Sequence, residues 1–106
     1  MSIHNNKRYE NEFVKLMKDK GFHCERVAGS GKGGVCDCVL FKDGKVFLVE
    51  VKATKEPKFY LRKGIKEQLE IMIKVAHKAN VRALLAIKYK YKGWRLKELK
   101  QEISIN

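Results

Sequence analysis

Three charged residues stand where a strand would otherwise be apolar. Val46-Phe47-Leu48-Val49-Glu50-Val51-Lys52 is a hydrophobic run broken by an acid and a lysine two residues apart, and Val35-Cys36-Asp37-Cys38-Val39-Leu40-Phe41 carries one acid. Side chains alternate faces along a strand, so Glu50 and Lys52 point one way while Val49 and Val51 point the other. Desolvating an unpaired charge costs several kcal/mol, so these charges are expected to be paired or to bind a metal ion. Hydrolysing a phosphodiester needs an activated water, neutralisation of charge building on the phosphate, and help for the departing oxygen. Mg²⁺, or Mn²⁺ in its place, does much of this when two or three oxygen ligands hold it and leave positions open. Asp37 and Glu50 supply such oxygens and the Val51 carbonyl lies between the charged side chains. Lys52 can orient the water or stabilise the phosphorane-like charge. Glu10 would complete the shell if the helix that carries it packs across the sheet.

Each signal has a plainer counterpart. Glu50 and Lys52 could form an ordinary ion pair on a solvated sheet, and an acid in a first helical turn, such as Glu10, is also favoured by the helix dipole. Gly29-Ser30-Gly31-Lys32-Gly33-Gly34 spells G-x-G-x-x-G after a strand, but it leads into another strand, so a bound phosphate would lack a helix N-terminus. A loop that carries Ser30 and Lys32 to a DNA backbone fits better, with a simple flexible connection as the alternative. Zinc on Cys24, Cys36, Cys38 and a histidine is disfavoured by the Cys-x-Cys spacing and the scattered His4, His23 and His77. Tyr89, Tyr91 and Trp94 alternate with Lys88, Lys90, Lys92 and Arg95, which suggests aromatics packed on one face and lysines offered to phosphates on the other.

The elements that must position these residues follow from periodicity. Tyr9, Phe13, Leu16 and Met17 give a helix over Lys7–Lys20 that ends at Gly21, with Glu10 near its start. Strands are expected at 22–28, 35–41 and 45–53, the last two joined by Lys42-Asp43-Gly44, a hairpin signal. A loop around Pro57 precedes a helix over Lys63–Asn80, whose apolar stripe is Ile65, Leu69, Met72, Ile73 and Ala76. Val81–Tyr89 is apolar enough to be an internal strand. A turn at Lys92-Gly93 leads to a last strand, Trp94–Leu96, and residues 97–106 read as a short helix or a fraying tail. The order is αβββαββ: a mixed central sheet flanked by helices, in one α/β domain spanning residues 1–106.

Bulk properties fit a partner of opposite charge. The chain has 106 residues, of which 44% are hydrophobic and 34% charged, with one proline, which fits a compact domain and not a disordered tail. Its net charge is +12, and residues 52–100 hold 15 Lys or Arg against four acids, so a polyanion, most commonly nucleic acid, is the expected partner. A lysine-rich surface that only solvates the fold is the alternative. No run approaches the roughly 18 to 20 apolar residues of a membrane span, and Met1–Arg8 lacks a signal-peptide core. An intracellular, cytoplasmic protein with reduced, half-buried thiols is therefore expected, with Cys36 and Cys38 sharing one face of a strand.

The spacing of Asp37 from Glu50-Val51-Lys52 resembles the PD-(D/E)xK nuclease pattern, with Cys36 where the proline usually stands. More narrowly, Glu10, Glu12-Phe13-Val14, Gly21-Phe22, Arg26, Gly29-Ser30, Cys36-Asp37, Val49-Glu50-Val51-Lys52-Ala53-Thr54, Leu85-Ala86-Ile87-Lys88 and Gly93-Trp94-Arg95 together resemble an archaeal-type Holliday junction resolvase. The likeness runs over residues 7 to 97 in the family's own order. It implies a restriction endonuclease-like fold, a homodimer, and Mg²⁺-dependent paired nicking of four-way DNA junctions. By the resemblance, Glu10, Asp37 and Glu50 are metal-binding acids, Lys52 is the catalytic lysine, and Arg26 and Ser30 serve substrate or activity. The chain departs from the pattern at Asn11, where a basic residue is common, and at Met72 and Val75, where aromatics are often found.

The sequence thus points to a structure-selective DNA endonuclease. Its catalytic set is Glu10, Asp37, Glu50, Lys52 and Ser30, its metal set is Glu10, Asp37, Glu50 and the Val51 carbonyl, and DNA is met by Lys7, Arg8, Arg26, Ser30, Lys32, Lys55 and Lys88. Two-fold pairing of subunits suits a two-fold substrate, with the exposed apolar side of the second helix or the last strands as the interface. The rivals are another nuclease of this fold, acting on flaps, nicks or foreign DNA, and a non-catalytic nucleic-acid-binding module.

Overall fold

The structure is a computed structural model that describes residues 6–27 and 34–100. Helix α1 (Asn6–Asp19) leads to strands β1 (His23–Arg26), β2 (Cys38–Lys42) and β3 (Lys45–Thr54). Helix α2 (Lys63–Ala79) then crosses to β4 (Arg82–Tyr89), and β5 (Gly93–Leu99) closes the sheet. The five strands lie in the order β1-β2-β3-β4-β5. All neighbours are antiparallel except β3 and β4, which are parallel because α2 carries the chain back between them. The αβββαββ order expected from periodicity is the one observed.

One helix covers each face of the sheet. Phe13 and Met17 of α1 bury against Cys24, Cys38, Leu40, Phe47, Val49, Val51, Leu84 and Ala86. Leu69, Met72, Ile73 and Ala76 of α2 bury against Cys36, Ala83, Leu85 and Ile87 on the other side. These are the stripes that helical spacing predicts, and fully burying each large side chain is worth about 1.5–3 kcal/mol. α1 stops where Gly21 takes φ +92°, so that Gly21 N–H reaches the Lys18 carbonyl and Phe22 N–H reaches Met17. Asn80 (φ 57°) ends α2 in the same way, with the Val81 N–H on the Ala76 carbonyl. The β2–β3 hairpin turns on Asp43 and Gly44, both at positive φ, as a two-residue turn of matching twist requires.

The differences from expectation are local. β1 is shorter than 22–28 because Phe22 is spent closing α1, and residues 28–33 lie outside the described ones. β5 runs on to Leu99, where a helix or tail was expected, because its alternation continues to pair with β4 as far as Ala83↔Leu99. β2 starts at Cys38, not at residue 35. Asp37 donates its N–H to the Val49 carbonyl although the cross-strand partner of Val49 is Cys38, so the ladder slips by one residue there. Cys36 and Cys38 consequently lie in the cores on opposite faces instead of sharing one. The three cysteines are free, and all are buried rather than half-buried. Among the described residues no helix is long and apolar enough to cross a membrane.

Candidate active site

The slip at Asp37 is what sets the place of the candidate acid. Its carbonyl accepts the Val27 N–H, its own N–H goes to Val49, and its carboxylate Oδ2 accepts the Val51 N–H at 2.8 Å. The side chain therefore replaces a backbone acceptor at the end of the ladder and lies at the sheet, between its two faces. Val49 and Val51 sit in the core under α1, which sends Glu50 and Lys52 to the other face. Glu10 comes down from α1. Asp37 adjoins both: its charge acts directly on Glu10 and on Glu50.

Both glutamates are nearly sealed from solvent, Glu10 at 7% and Glu50 at 2% exposure. Burial, and then the Asp37 charge, push the Glu50 carboxyl up to about 8, against the pull of Lys52, whose Nζ is 3.3 Å from Oε2. Glu10 is raised for the same two reasons, opposed by the Arg26 guanidinium at 3.2 Å. Two cations therefore stand beside three carboxylates, and the acids remain short of positive charge. Among the described residues, no group of three or more His, Cys, Asp or Glu side chains is disposed to hold a metal ion by itself. The arrangement is two carboxylate pairs sharing Asp37. Such a donor set suits a small hard cation that keeps several waters and takes only one or two carboxylates.

The remaining residues of the expected set are dispersed. Lys7 and Arg8 are exposed at the start of α1, and Lys55 is exposed just beyond β3. Arg26 is turned to Glu10 and, at 3.4 Å, to the Asn11 side-chain oxygen. Ser30 and Lys32 lie outside the described residues. Lys88 was expected to face phosphates. Its Nζ lies 2.7 Å from Glu12 Oε2, which also accepts the Trp94 Nε1–H at 3.1 Å. Trp94 in turn packs on Phe13 with ring centroids 5.4 Å apart, and Tyr89 packs into the α2 core, while Tyr91 is 83% exposed. Sequence reading did not find the Glu12–Lys88–Trp94 contact. Partners 76 and 82 positions apart leave no local spacing, and the one hint was a lysine ending an apolar strand.

Away from the acids, α2 and the ends of β4 and β5 frame an apolar cavity of about 840 Å³, lined by residues that include Ile71, Val75, Val81, Arg82 and Leu99. Ile71 is 57% exposed there, and Leu96 on β5 is 46% exposed.

The family model described as archaeal Holliday junction resolvase (Hjc) matches residues 1–104. Among solved structures, the chain is similar to Archaeoglobus fulgidus Hjc, described as a Holliday junction resolvase from an archaeal hyperthermophile. The two are 32% identical with a TM-score of 0.71, over 86% of this chain and 73% of that one.

Proposed function

Since this chain belongs to the archaeal Holliday junction resolvase family, a nuclease family acting on DNA junctions, we propose that the acids gathered at Asp37 are where it cuts a four-way junction. The observation that carries this reading is the Asp37 carboxylate on the Val51 N–H, beside Glu10 on one face of the sheet and Glu50 on the other. Asp37, Glu50 and the Val51 carbonyl would hold Mg²⁺, with Mn²⁺ able to substitute, and Glu10 would complete the set. When bound, that ion supplies neutralisation of the scissile phosphate and a more acidic water.

The chain's own groups do the rest. Burial of Glu10 and Glu50 keeps bulk water off the carboxylates and strengthens every charge interaction among them. Lys52, 3.3 Å from Glu50, is held where its ammonium can meet an attacking water or the charge that builds on phosphorus. Arg26 fixes the Glu10 carboxylate from the β1 side. The excess of lysine after residue 52 draws in the DNA backbone, which makes affinity fall steeply with salt.

Two symmetric nicks need two such centres, and one chain carries one. A homodimer supplies both and matches the two-fold axis of the junction. The apolar surface of α2 and β5 around exposed Ile71 and half-buried Val75 and Leu99 suits that contact, because it lies clear of the acids.

The test is cleavage of an immobile four-way junction, compared with linear duplex and flap DNA, in Mg²⁺, in Mn²⁺ and in chelator. Junction-specific paired nicks that require the metal are expected. Preferential cutting of flaps would assign another substrate, and intact DNA under every condition would leave a binding module.

A further inference from the structure

Helix α1 carries two glutamates that leave it on opposite flanks. Residues two apart are about 200° apart around a helix, so Glu10 and Glu12 flank the stripe formed by Phe13 and Met17. Glu10 meets Arg26 on β1, at one edge of the sheet. Glu12 meets Lys88 on β4 and Trp94 on β5, at the opposite edge. The helix is thus tied on both sides across an apolar seat. Apolar packing by itself resists separation of helix and sheet more than it resists a small roll, because it is not directional. The directional restraint comes from the two ionic ties, and a roll of α1 moves the Glu10 carboxylate relative to Asp37.

We propose that Glu12, Lys88 and Trp94 are positioning residues that hold α1 in the roll at which Glu10 faces Asp37. The proposal rests on the reading of Glu10 as part of the cutting site. It gives Lys88 a role in geometry in place of phosphate contact. Its ammonium is 2.7 Å from a carboxylate and 5.8 Å from the centre of the Trp94 ring, and its side chain is 21% exposed. Trp94 adds a second donor to the same Glu12 oxygen and a wall against Phe13, so the carboxylate is approached from two directions.

The experiment compares Lys88→Met, Lys88→Arg, Glu12→Gln and Glu10→Gln in two assays. Single-turnover cleavage of a junction is measured at saturating protein, and junction affinity is measured in chelator over a range of salt. An ångström of misplacement at a reacting centre costs on the order of 100-fold. Lys88→Met and Glu12→Gln are therefore expected to slow single turnover about 10- to 100-fold, with the slope of log affinity against log salt unchanged. Lys88→Arg, which keeps a donor to Glu12, recovers most of the rate. The double variant Glu12→Gln with Lys88→Met is no slower than either single one, as members of one unit are. Trp94 is the only tryptophan, and its emission is expected to shift in Glu12→Gln, which reports on the contact without any cleavage.

A salt slope reduced by about one in Lys88→Met with a normal single-turnover rate would make Lys88 a phosphate contact and overturn the proposal. So would additive effects in the double variant. Glu10→Gln separates the two levels of argument. If it abolishes cutting while Lys88→Met cuts normally, only the positioning role falls. If Glu10→Gln itself cuts normally, the assignment of Glu10 to the site falls and takes the positioning role with it.

Discussion

Glu10 and Glu12 are the same amino acid, one turn of helix apart or less, and the protein treats them in opposite ways. Glu10 is buried beside Asp37, and its carboxyl is held above the ordinary range by burial and by that negative neighbour. Glu12 is pulled below it, first by its hydrogen bond from Lys88, which outweighs the cost of burial, and then by that from Trp94. One flank of α1 stores unbalanced negative charge and the other is satisfied. Carboxylate roles are set by surroundings. Under the proposed reading, the unbalanced flank would belong to the cutting site and the balanced one would support it.

The largest effect that could break this comparison is on cleavage. Asp37→Asn and Glu50→Gln each keep shape and remove charge, and each is expected to lower the cutting rate by about a thousand-fold or more while junction binding persists. Lys52→Ala is expected to cost about a hundred- to a thousand-fold. Gel-based single-turnover assays, with binding measured separately, check both. If all three variants cut like the parent, the unbalanced charge serves something else.

The next effect is on stability, and its sign is opposite at Glu50, beside Asp37, and at Glu12. Glu50 holds its proton up to about pH 8 in the folded chain, whereas an unfolded glutamate releases it near 4.5. Between those values the folded state binds more protons than the unfolded one, so metal-free stability falls as pH rises from about 4.5 to about 8 and levels off above. Glu50→Gln removes that slope and is expected to raise the melting temperature in chelator at pH 8 by several degrees, an increment of about 1 kcal/mol or more. Glu12→Gln goes the other way. Its carboxyl, held below the usual range first by the hydrogen bond from Lys88, is stabilising once ionised, so the variant is expected to melt lower at neutral pH. The size is about 1 kcal/mol, reduced from the value for a buried pair because the Glu12 side chain is 36% exposed. Thermal melts of both variants across pH sharpen the contrast, and a Glu50→Gln protein that melts lower at pH 8 would remove it.

The sequence made the satisfied parts of the fold legible and left the unusual ones hidden. Phe13 and Met17, and Leu69, Met72, Ile73 and Ala76, announce their helices because burial imposes a 3.6-residue period. Asp43-Gly44 announces the hairpin because few residue pairs accept two positive φ angles. Glu50 and Lys52 were placed on one face by alternation, and they do meet, at 3.3 Å. Asp37 is singled out in the sequence as a metal-binding acid, but at a regular position of a strand over 35–41. Nothing in its neighbours signals that its carboxylate takes the Val51 N–H and slips the ladder, since that depends on a strand 14 positions away. The partner of Lys88 is hidden for a related reason. Its alternation with aromatics says that it leaves the sheet on one face, and only the packing of α1 decides whether solvent or Glu12 waits there.

A third ion pair on the same helix supplies the smallest effect and the control for the other two. Lys15 and Asp19 lie 3.0 Å apart at i, i+4 spacing, a shorter contact than Arg26 makes with Glu10, yet their side chains are 77% and 63% exposed. Water screens such a pair and holding two mobile side chains costs entropy, so its worth is about 0.3–0.5 kcal/mol. Lys15→Ala is expected to shift the urea midpoint barely beyond error and to leave junction cutting and its salt dependence untouched. If distance alone set the value of an ion pair, this variant would cost as much as Glu12→Gln. A matching loss would mean that the two flanks of α1 differ in arrangement but not in energy, and the division between charged site and tied support would then have no physical basis.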